Sequence, residues 1–279
     1  MKKSLIVLFV GAVLLLGLFC YYHFFQFTGF RVIFFNIGQG DSALINFSNG
    51  QKMLVDCGPD KKILSKLGQY LPFYDRTIDY LLISHPDGDH YGGCVDVLRR
   101  YDVKNIIENG LSKENDPYWQ VWNENIKNKM SKIKNITRHE LWTIAGTSLE
   151  FFSPDGALGL AAKEKDSNNS SIVFKLSHES KSFLFMGDAE VSLENALVDK
   201  HCTASSTCPA LRATYLKVGH HGSDSSSGDD FIRAVAPQIA IISVGKNTFG
   251  HPSLRVMRHL ERALIEIWRT DQKNDIILR

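Results

Sequence analysis

The segment "SHPDGDHYGG", residues 84–93, sets His85, Asp87, Asp89 and His90 within six positions, directly after the apolar run "IDYLLIS". Side chains two apart in an extended chain face the same way, so His85 and Asp87 converge. Asp89 and His90 then start a helix, and Gly92 and Gly93 behind them permit close backbone approach. A helix cap would account for Asp89 alone, whereas metal ligation accounts for all four residues. A second cluster, "KVGHHGSDSSSG", places His220 and His221 at a strand end. A histidine there can give a proton to a leaving oxygen or bind a phosphate oxygen. We read His221 as the catalytic member and His220 as its support, with Asp89 serving catalysis as well as ligation. Asp41, in "GQGDS", either faces the same cleft or bonds its own backbone in a turn.

Apolar runs supply the elements that position these groups. "RVIFFNI", "SALINF" and "KMLVD" read as strands, with Asn49-Gly50 at the hairpin turn between the last two. "KKILSKLGQYL" has helical period, "IDYLLIS" is a buried strand, "GGCVDVLRRY" a helix and "VKNIIEN" a strand. Residues 117–134 read as one amphipathic helix with Trp119, Trp122 and Ile126 on its inner face. The second half continues with strands "SLEFFSP", "SIVFKLS", "KSFLFMGD", "ATYLKVGH" and "QIAIISVG" around the helix "AEVSLENALVDK". A helix at "SLRVMRHLERA" and a terminal pair of strands, "IEIWRT" and "DIIL", close the chain. Strands interleaved with helices, some of them in hairpins, imply two mixed sheets covered by helices, an α/β sandwich.

The N-terminus differs in kind. Lys2 and Lys3 precede an uncharged apolar run from Leu5 to about Phe25, with Tyr21, Tyr22 and Phe24 as an interfacial belt. Residues 1–28 are therefore expected to form a single-pass membrane anchor, with residues 30–279 folded outside the cytoplasmic membrane. The alternative is a signal segment removed on secretion. In such a compartment Cys202 and Cys208, which bracket "TASST", could form a short disulfide, while Cys57 and Cys94 read as small packed residues. The 279 residues are 44% hydrophobic with a net charge of +2, which argues against a uniformly polyanion-coating surface. Lys127, Lys129, Lys132, Lys134 and Arg138 form one basic run that suits either a DNA backbone or a solvated face. His23, His201 and His259 read as interfacial or surface residues.

Taken together, the motifs resemble the metallo-β-lactamase superfamily and its His-x-His-x-Asp-His signature, with Asp87 in the second histidine position. "MLVDCG" supplies an early Asp56, "FLFMGDAE" a later Asp188, and "FGHPS" the late His251. The metallo-hydrolase domain of ComEC-type DNA-uptake proteins is similar at "NIGQGDS", where most members carry aspartate in place of Asn36. It is also similar at "SHPDGDHYGG", "SNNSSIVFKL", "LKVGHHGS" and "GHPS".

This resemblance implies an αββα four-layer sandwich of two mixed sheets flanked by helices, preceded by one transmembrane helix. It implies two divalent ions. His85 and Asp87 fall to the first, Asp89, His90 and His251 to the second, with Asp188 between them and Asp56 behind. The usual third histidine of the first ion has no match. His139 and His178 read as surface residues, and Asn168, Asn169 and Ser170 stand in the corresponding place. Carboxylate for imidazole at Asp87 makes the site harder, which puts manganese ahead of zinc. The implied activity is a DNA phosphodiesterase working with DNA-uptake machinery. Hydrolysis of small phosphoesters, thioesters or lactones is the alternative, and a catalytically weak metal-binding module the second alternative.

Overall fold

The central strands of this chain form from short apolar runs that are buried on both faces. The computed structural model describes residues 6, 8–18, 29–113, 116–127, 132–156, 167–202 and 208–279. The first sheet holds β1 (Arg31–Phe34), β2 (Ala43–Asn46), β3 (Lys52–Val55), β4 (Thr77–Leu82), β5 (Asp102–Glu108) and β6 (Lys132–Asn135). The second holds β7 (Glu140–Ile144), β8 (Thr147–Ser153), β9 (Val173–His178), β10 (Lys181–Phe185), β11 (Tyr215–Lys217), β12 (Ile239–Ile242) and β13 (Glu266–Arg269). The last strand, β14 (Ile276–Leu278), returns to the first sheet beside β1. The sheet orders are β14-β1-β2-β3-β4-β5-β6 and β13-β12-β11-β10-β9-β8-β7. Each sheet is antiparallel on one side and parallel on the other, from β3 to β6 and from β10 to β13.

Parallel neighbours require crossovers, and helices supply most of them. These are α1 (Lys62–Tyr70), the short α2 (Gly88–Tyr91), α3 (Cys94–Arg100), α4 (Pro117–Lys127), α5 (Val191–His201), α6 (Asp229–Val235) and α7 (Leu254–Arg262). A single turn, α8 (Thr270–Lys273), precedes β14. Between the sheets lies an aromatic core in which Phe185 stacks on Phe34 at 5.4 Å and on Phe174 at 4.6 Å. Ile63, Val97, Trp119 and Trp122 seal the outer face of the first sheet. Leu193, Phe231, Val235 and Leu260 seal the other. The result is two mixed sheets flanked by helices, the α/β sandwich anticipated from the alternating runs.

Several expectations change. Residues 117–134 are not one helix: α4 stops at Lys127, and Lys132–Asn135 pair with β5 as a parallel edge strand. The basic run therefore shares no single face. Lys134 lies 2.8 Å and Arg138 3.7 Å from Glu140, and Lys129 falls outside the described residues. The strand β7 had no counterpart in the sequence reading. "IEIWRT" and "DIIL" are not a pair, because α8 carries the chain from one sheet to the other. Cys57 and Cys94 are not merely packed: they form a disulfide, as do Cys202 and Cys208. Residues 8–18 are helical with largely exposed apolar side chains. No helix among the described residues is long and apolar enough to cross a membrane, and the rest of the expected 1–28 anchor lies outside them.

Glu194, buried on α5, holds the loop that follows the paired histidines. Its Oε1 accepts from Ser227 N at 2.7 Å and its Oε2 from Gly228 N at 2.8 Å. Burial pushes its pKa up from 4.5 to about 7 against the pull of these two N–H donors. A folded-state value above the unfolded one means a contribution complete below pH 4.5 and lost as pH rises through about 7. Glu194→Gln is thus expected to gain stability relative to wild type between those pH values. Urea melts at pH 5 and pH 8 check this; an equal difference at both ends refutes it.

Candidate metal centre

The polar motifs all leave the C-terminal ends of strands on one rim of the sandwich. Asp56 follows β3, Ser84 to Asp87 follow β4, Asp188 follows β10, the paired histidines follow β11, and His251 lies in the loop after β12. Asp56 sits at φ 55°, a left-handed conformation that aspartate tolerates better than most residues. Its Oδ1 accepts from Ser84 N at 2.8 Å, and its Oδ2 accepts from Ser84 Oγ at 2.7 Å. The same Oδ2 lies 2.9 Å from His90 Nδ1. Asp56 therefore accepts a hydrogen bond from Nδ1–H and turns His90 Nε2 inward, the orienting role that carboxylates play behind ligating imidazoles.

Asp188 is the hub. Its Oδ1 lies 3.2 Å from His90 Nε2. Its Oδ2 lies 3.6 Å from His221 Nε2 and 3.9 Å from both His85 Nε2 and His220 Nε2. The carboxylate is 3% exposed, and its backbone N–H donates to Ser171 Oγ at 3.0 Å. Asp89 completes one side, with Oδ2 3.2 Å from His221 Nε2. The ligand atoms of Asp89, His90, Asp188 and His221 all fall within 4.8 Å of one another. On the other side His85 Nε2 lies 3.6 Å from Asp87 Oδ2, while Lys113 holds the second oxygen of Asp87.

His221, at 1% exposure, stands in this four-residue group, a position the sequence reading gave to catalysis, while His251 is not among the four and its Nδ1 is buried without a hydrogen-bond partner. The His251 ring stands 5.3 Å from His220 and 6.4 Å from His221. The cause is local backbone: His220 and His221 both adopt left-handed conformations, φ 47° and 52°, which swing the second ring inward. His220, in turn, is held through Nδ1 by Glu190 Oε1 at 3.1 Å. Asn168 Nδ2 donates to the same Glu190 oxygen at 3.3 Å, and Asn169 Oδ1 accepts from Glu190 N at 3.0 Å. Ser170 accepts from Asn109 Nδ2. The Asn168–Ser170 turn is thus a brace for Glu190, and through it for His220. His139 is exposed, and His178 packs between Phe30 and Thr147, away from the cluster.

Asp41 lies behind His221. Its Oδ2 pairs with Lys217 Nζ at 2.7 Å, both side chains nearly fully buried, and its Oδ1 lies 3.4 Å from His221 Nδ1. His221 Nδ1 donates to Ser243 O at 2.9 Å. Asp41, Asp56 and His90 also converge, yet that second constellation is already answered by the Lys217 ammonium. Lys217, Glu190, Ser84 and Lys113 were missed from sequence. The lysine in "LKVGHHGS" and the glutamate two positions after Asp188 were the signals available.

Electrostatics follow from this packing. Burial disfavours the charged imidazolium of His90, but Asp188 and Asp56 outweigh it and raise its pKa well above the usual value. Burial likewise opposes His221, yet Asp188 and Asp41 lift it to about 10. Burial also works against ionised Asp188, and the neighbouring His90 and His221 still hold it well below the carboxylate range. His251 moves the other way, lowered by burial and by His220 and His221. A carboxylate that so strengthens proton binding at two imidazoles strengthens divalent-cation binding at the same lone pairs, since the two compete. The donor set fits such an ion: His85 Nε2, His90 Nε2 and Asp188 Oδ1 are buried without a hydrogen-bond partner. Uncompensated polar atoms of this kind are costly unless something binds them.

Known proteins bear this out at the level of family. ComE operon protein 3 of Bacillus subtilis (strain 168) is 30% identical over 263 residues, which cover 88% of this chain and 32% of that protein. Competence protein ComA of Neisseria gonorrhoeae is 28% identical over 86% of this chain and 31% of its own length. The chain thus spans about a third of the curated relatives it matches. Among solved structures, Zn(2+)-bound PqqB from Methylobacterium extorquens superposes with a TM-score of 0.58 at 11% identity, covering 89% of this chain and 99% of that one. That similarity speaks for the fold alone, a fold that implies divalent-metal binding. Residues 36–246 match the family model of the metallo-beta-lactamase superfamily. With the two-sheet sandwich and the ligand cluster on its rim, that match makes the chain a member of the metallo-beta-lactamase superfamily.

Proposed function

We propose that this protein is a metal-dependent phosphodiesterase that cleaves DNA outside the cytoplasmic membrane. The observation that carries the reading is Asp188, one buried carboxylate facing four imidazoles. Asp89, His90, Asp188 and His221 would hold one divalent ion, and His85 and Asp87, with Asp188 between, the other. Such ions lower the pKa of water and neutralise charge on a phosphodiester. Asp56 orients the His90 ring from behind, and the Ser243 carbonyl orients the His221 ring, with Asp41 alongside as counter-charge. Glu190 accepts a hydrogen bond from Nδ1–H of His220, which turns Nε2 to the cluster; in the imidazolium form that Nε2–H would give its proton to the leaving oxygen, and the ring would be left neutral. Two carboxylates at Asp87 and Asp89 beside Asp188 give an oxygen-rich set, which favours manganese, with zinc second.

DNA as substrate is supported by the similarity to two competence proteins. Placement outside the cytoplasm, on a membrane anchor or after secretion, is supported by two disulfides and by the apolar N-terminal run. A link to DNA-uptake machinery rests on the same relatives. The test is metal content of the purified protein by mass spectrometry, then incubation with single- and double-stranded DNA plus manganese or zinc, with and without chelator. Bound metal and chelator-sensitive cleavage are expected. Neither metal nor cleavage refutes the proposal; turnover of small phosphoesters, thioesters or lactones but not DNA replaces it with a small-ester hydrolase.

A further inference from the structure

Beside the metal cluster runs a second concavity that the proposed chemistry does not use. It is a groove of about 520 Å³ lined by Pro59, Lys61, Lys62, Gly92, Asp96 and Tyr118. Its position is fixed relative to the cluster. Gly40 admits no side chain because a Cβ there would lie 2.4 Å from Asp89 O and 3.0 Å from Pro59 Cδ, so Pro59 and the ligand Asp89 share one wall. Its floor is equally tight: a Cβ on Gly92 would meet Pro59 O at 2.4 Å, and Cys57 and Cys94 bolt the two segments together just behind.

Tyr118 stands over this groove 71% exposed, and its placement is built. Tyr91, the residue after His90, donates its hydroxyl to Asp116 Oδ2 at 2.8 Å, and Asp116 Oδ1 accepts from Tyr118 N at 2.8 Å. Two hydrogen bonds therefore tie the backbone that carries this exposed ring to the metal motif. Lys61 and Lys62 extend along the same groove, and among the described residues neither has an ion-pair partner within 4.0 Å. The lining also carries two acids, Asp60, whose Oδ1 accepts from Lys62 N at 2.7 Å, and Asp96, which lies 3.9 Å from Arg99.

We propose that this groove binds single-stranded DNA next to the phosphate held at the metal cluster, with Lys61 and Lys62 on backbone phosphates and Tyr118 stacked on a base. Exposed lysines beside an aromatic face are the pairing that unpaired strands use, since a base must leave its duplex stack to lie on a side chain. The inference rests on the DNA-hydrolase reading and narrows its substrate to strands with an accessible base.

The experiment measures binding of the full chain to fluorescein-labelled fifteen-nucleotide oligothymidylate, a fully abasic strand of the same length, and a fifteen-base-pair duplex. Anisotropy is read in chelator so that no cleavage intervenes. Tyr118→Ala is expected to weaken oligothymidylate binding by about 5- to 100-fold and to leave binding of the abasic strand unaffected. Lys61→Ala/Lys62→Ala is expected to flatten the slope of log affinity against log salt by roughly 0.7 for each phosphate that a lysine no longer neutralises. Hydrolysis of bis(p-nitrophenyl) phosphate, which needs only the cluster, should be unchanged in both variants and so reports that each is folded. Wild-type affinity in both variants, or tighter binding of duplex than of single strand, overturns the groove. If wild type cleaves DNA while the variants bind as it does, the groove fails and the hydrolase stands; if wild type neither binds nor cleaves DNA, both fail.

Discussion

Asp188→Asn is expected to abolish measurable DNA cleavage and to strip bound divalent metal, while far-ultraviolet circular dichroism stays that of the wild type. Asparagine keeps the shape of the side chain but removes its charge and turns one oxygen into an N–H donor. Both oxygens matter here. Oδ1 faces His90 Nε2 at 3.2 Å, and Oδ2 faces His221, His85 and His220 at 3.6 to 3.9 Å. An amide nitrogen on either side would point N–H at lone pairs that should be directed at a cation. Partners one step behind a metal ligand are worth about 10- to 100-fold in affinity or activity. A carboxylate shared by every ligating ring must then be worth at least ~100-fold. Metal content and initial cleavage rate at saturating manganese decide it; a variant retaining both shows that Asp188 is only a counter-charge to buried histidines.

That hub was partly legible in the sequence. Asp188 was picked out through the resemblance to the superfamily, in which a late aspartate follows an apolar strand such as "FLFM". Residue types and spacing located His85, Asp87, Asp89 and His90 after "IDYLLIS". Which rings converge, however, depends on ring direction, and that was hidden. His221 enters the cluster because two consecutive non-glycine residues take left-handed backbone, a conformation no single residue type announces. His251 carried a motif that pointed to ligation, yet its loop is stapled by Asn247, whose Oδ1 accepts from Phe249 N and His251 N. That staple fixes the backbone and leaves the ring beside His220.

The fold was more readable than its edges. Central strands announce themselves because both faces are buried and the runs are apolar throughout, as in "RVIF" and "ALIN". Edge strands lack that signal. In "KIKN" three of four residues are exposed, so the segment reads as a continuation of the helix before it. Assignment of β13 and β14 to different sheets depends on the single turn α8, and Thr270 within it is buried, its Oγ1 accepting from Val244 N at 3.0 Å. Hydrophobic period cannot report which sheet a three-residue strand will join.

The Cys57–Cys94 bridge was invisible for the related reason that 37 residues of sequence separate its ends. Chain-entropy arguments put closure of a loop that long at about 4 kcal/mol, against about 2 kcal/mol for a six-residue separation such as that of Cys202 and Cys208. The long loop contains α1, β4 and α2, so the bridge clamps the strand end carrying Asp56 to the helix pair carrying Asp89 and His90. Backbone bonds reinforce it, Cys57 N donating to His90 O at 2.7 Å and Gly93 N to Gly58 O at 2.9 Å. Cys57→Ala/Cys94→Ala is therefore expected to lower stability by about 4 kcal/mol, or roughly 10 °C in Tm, with alanine chosen to leave no buried hydroxyl. Both cysteines are fully buried, so a thiol reductant reaches the bridge only through opening of the fold, and wild type should lose the same stability slowly on incubation with dithiothreitol. Thermal melts of wild type and variant, each with and without reductant, separate the contributions. A variant that melts within about 2 °C of wild type would mean that the backbone bonds alone hold Asp56 against His90, and that the bridge follows the geometry instead of enforcing it.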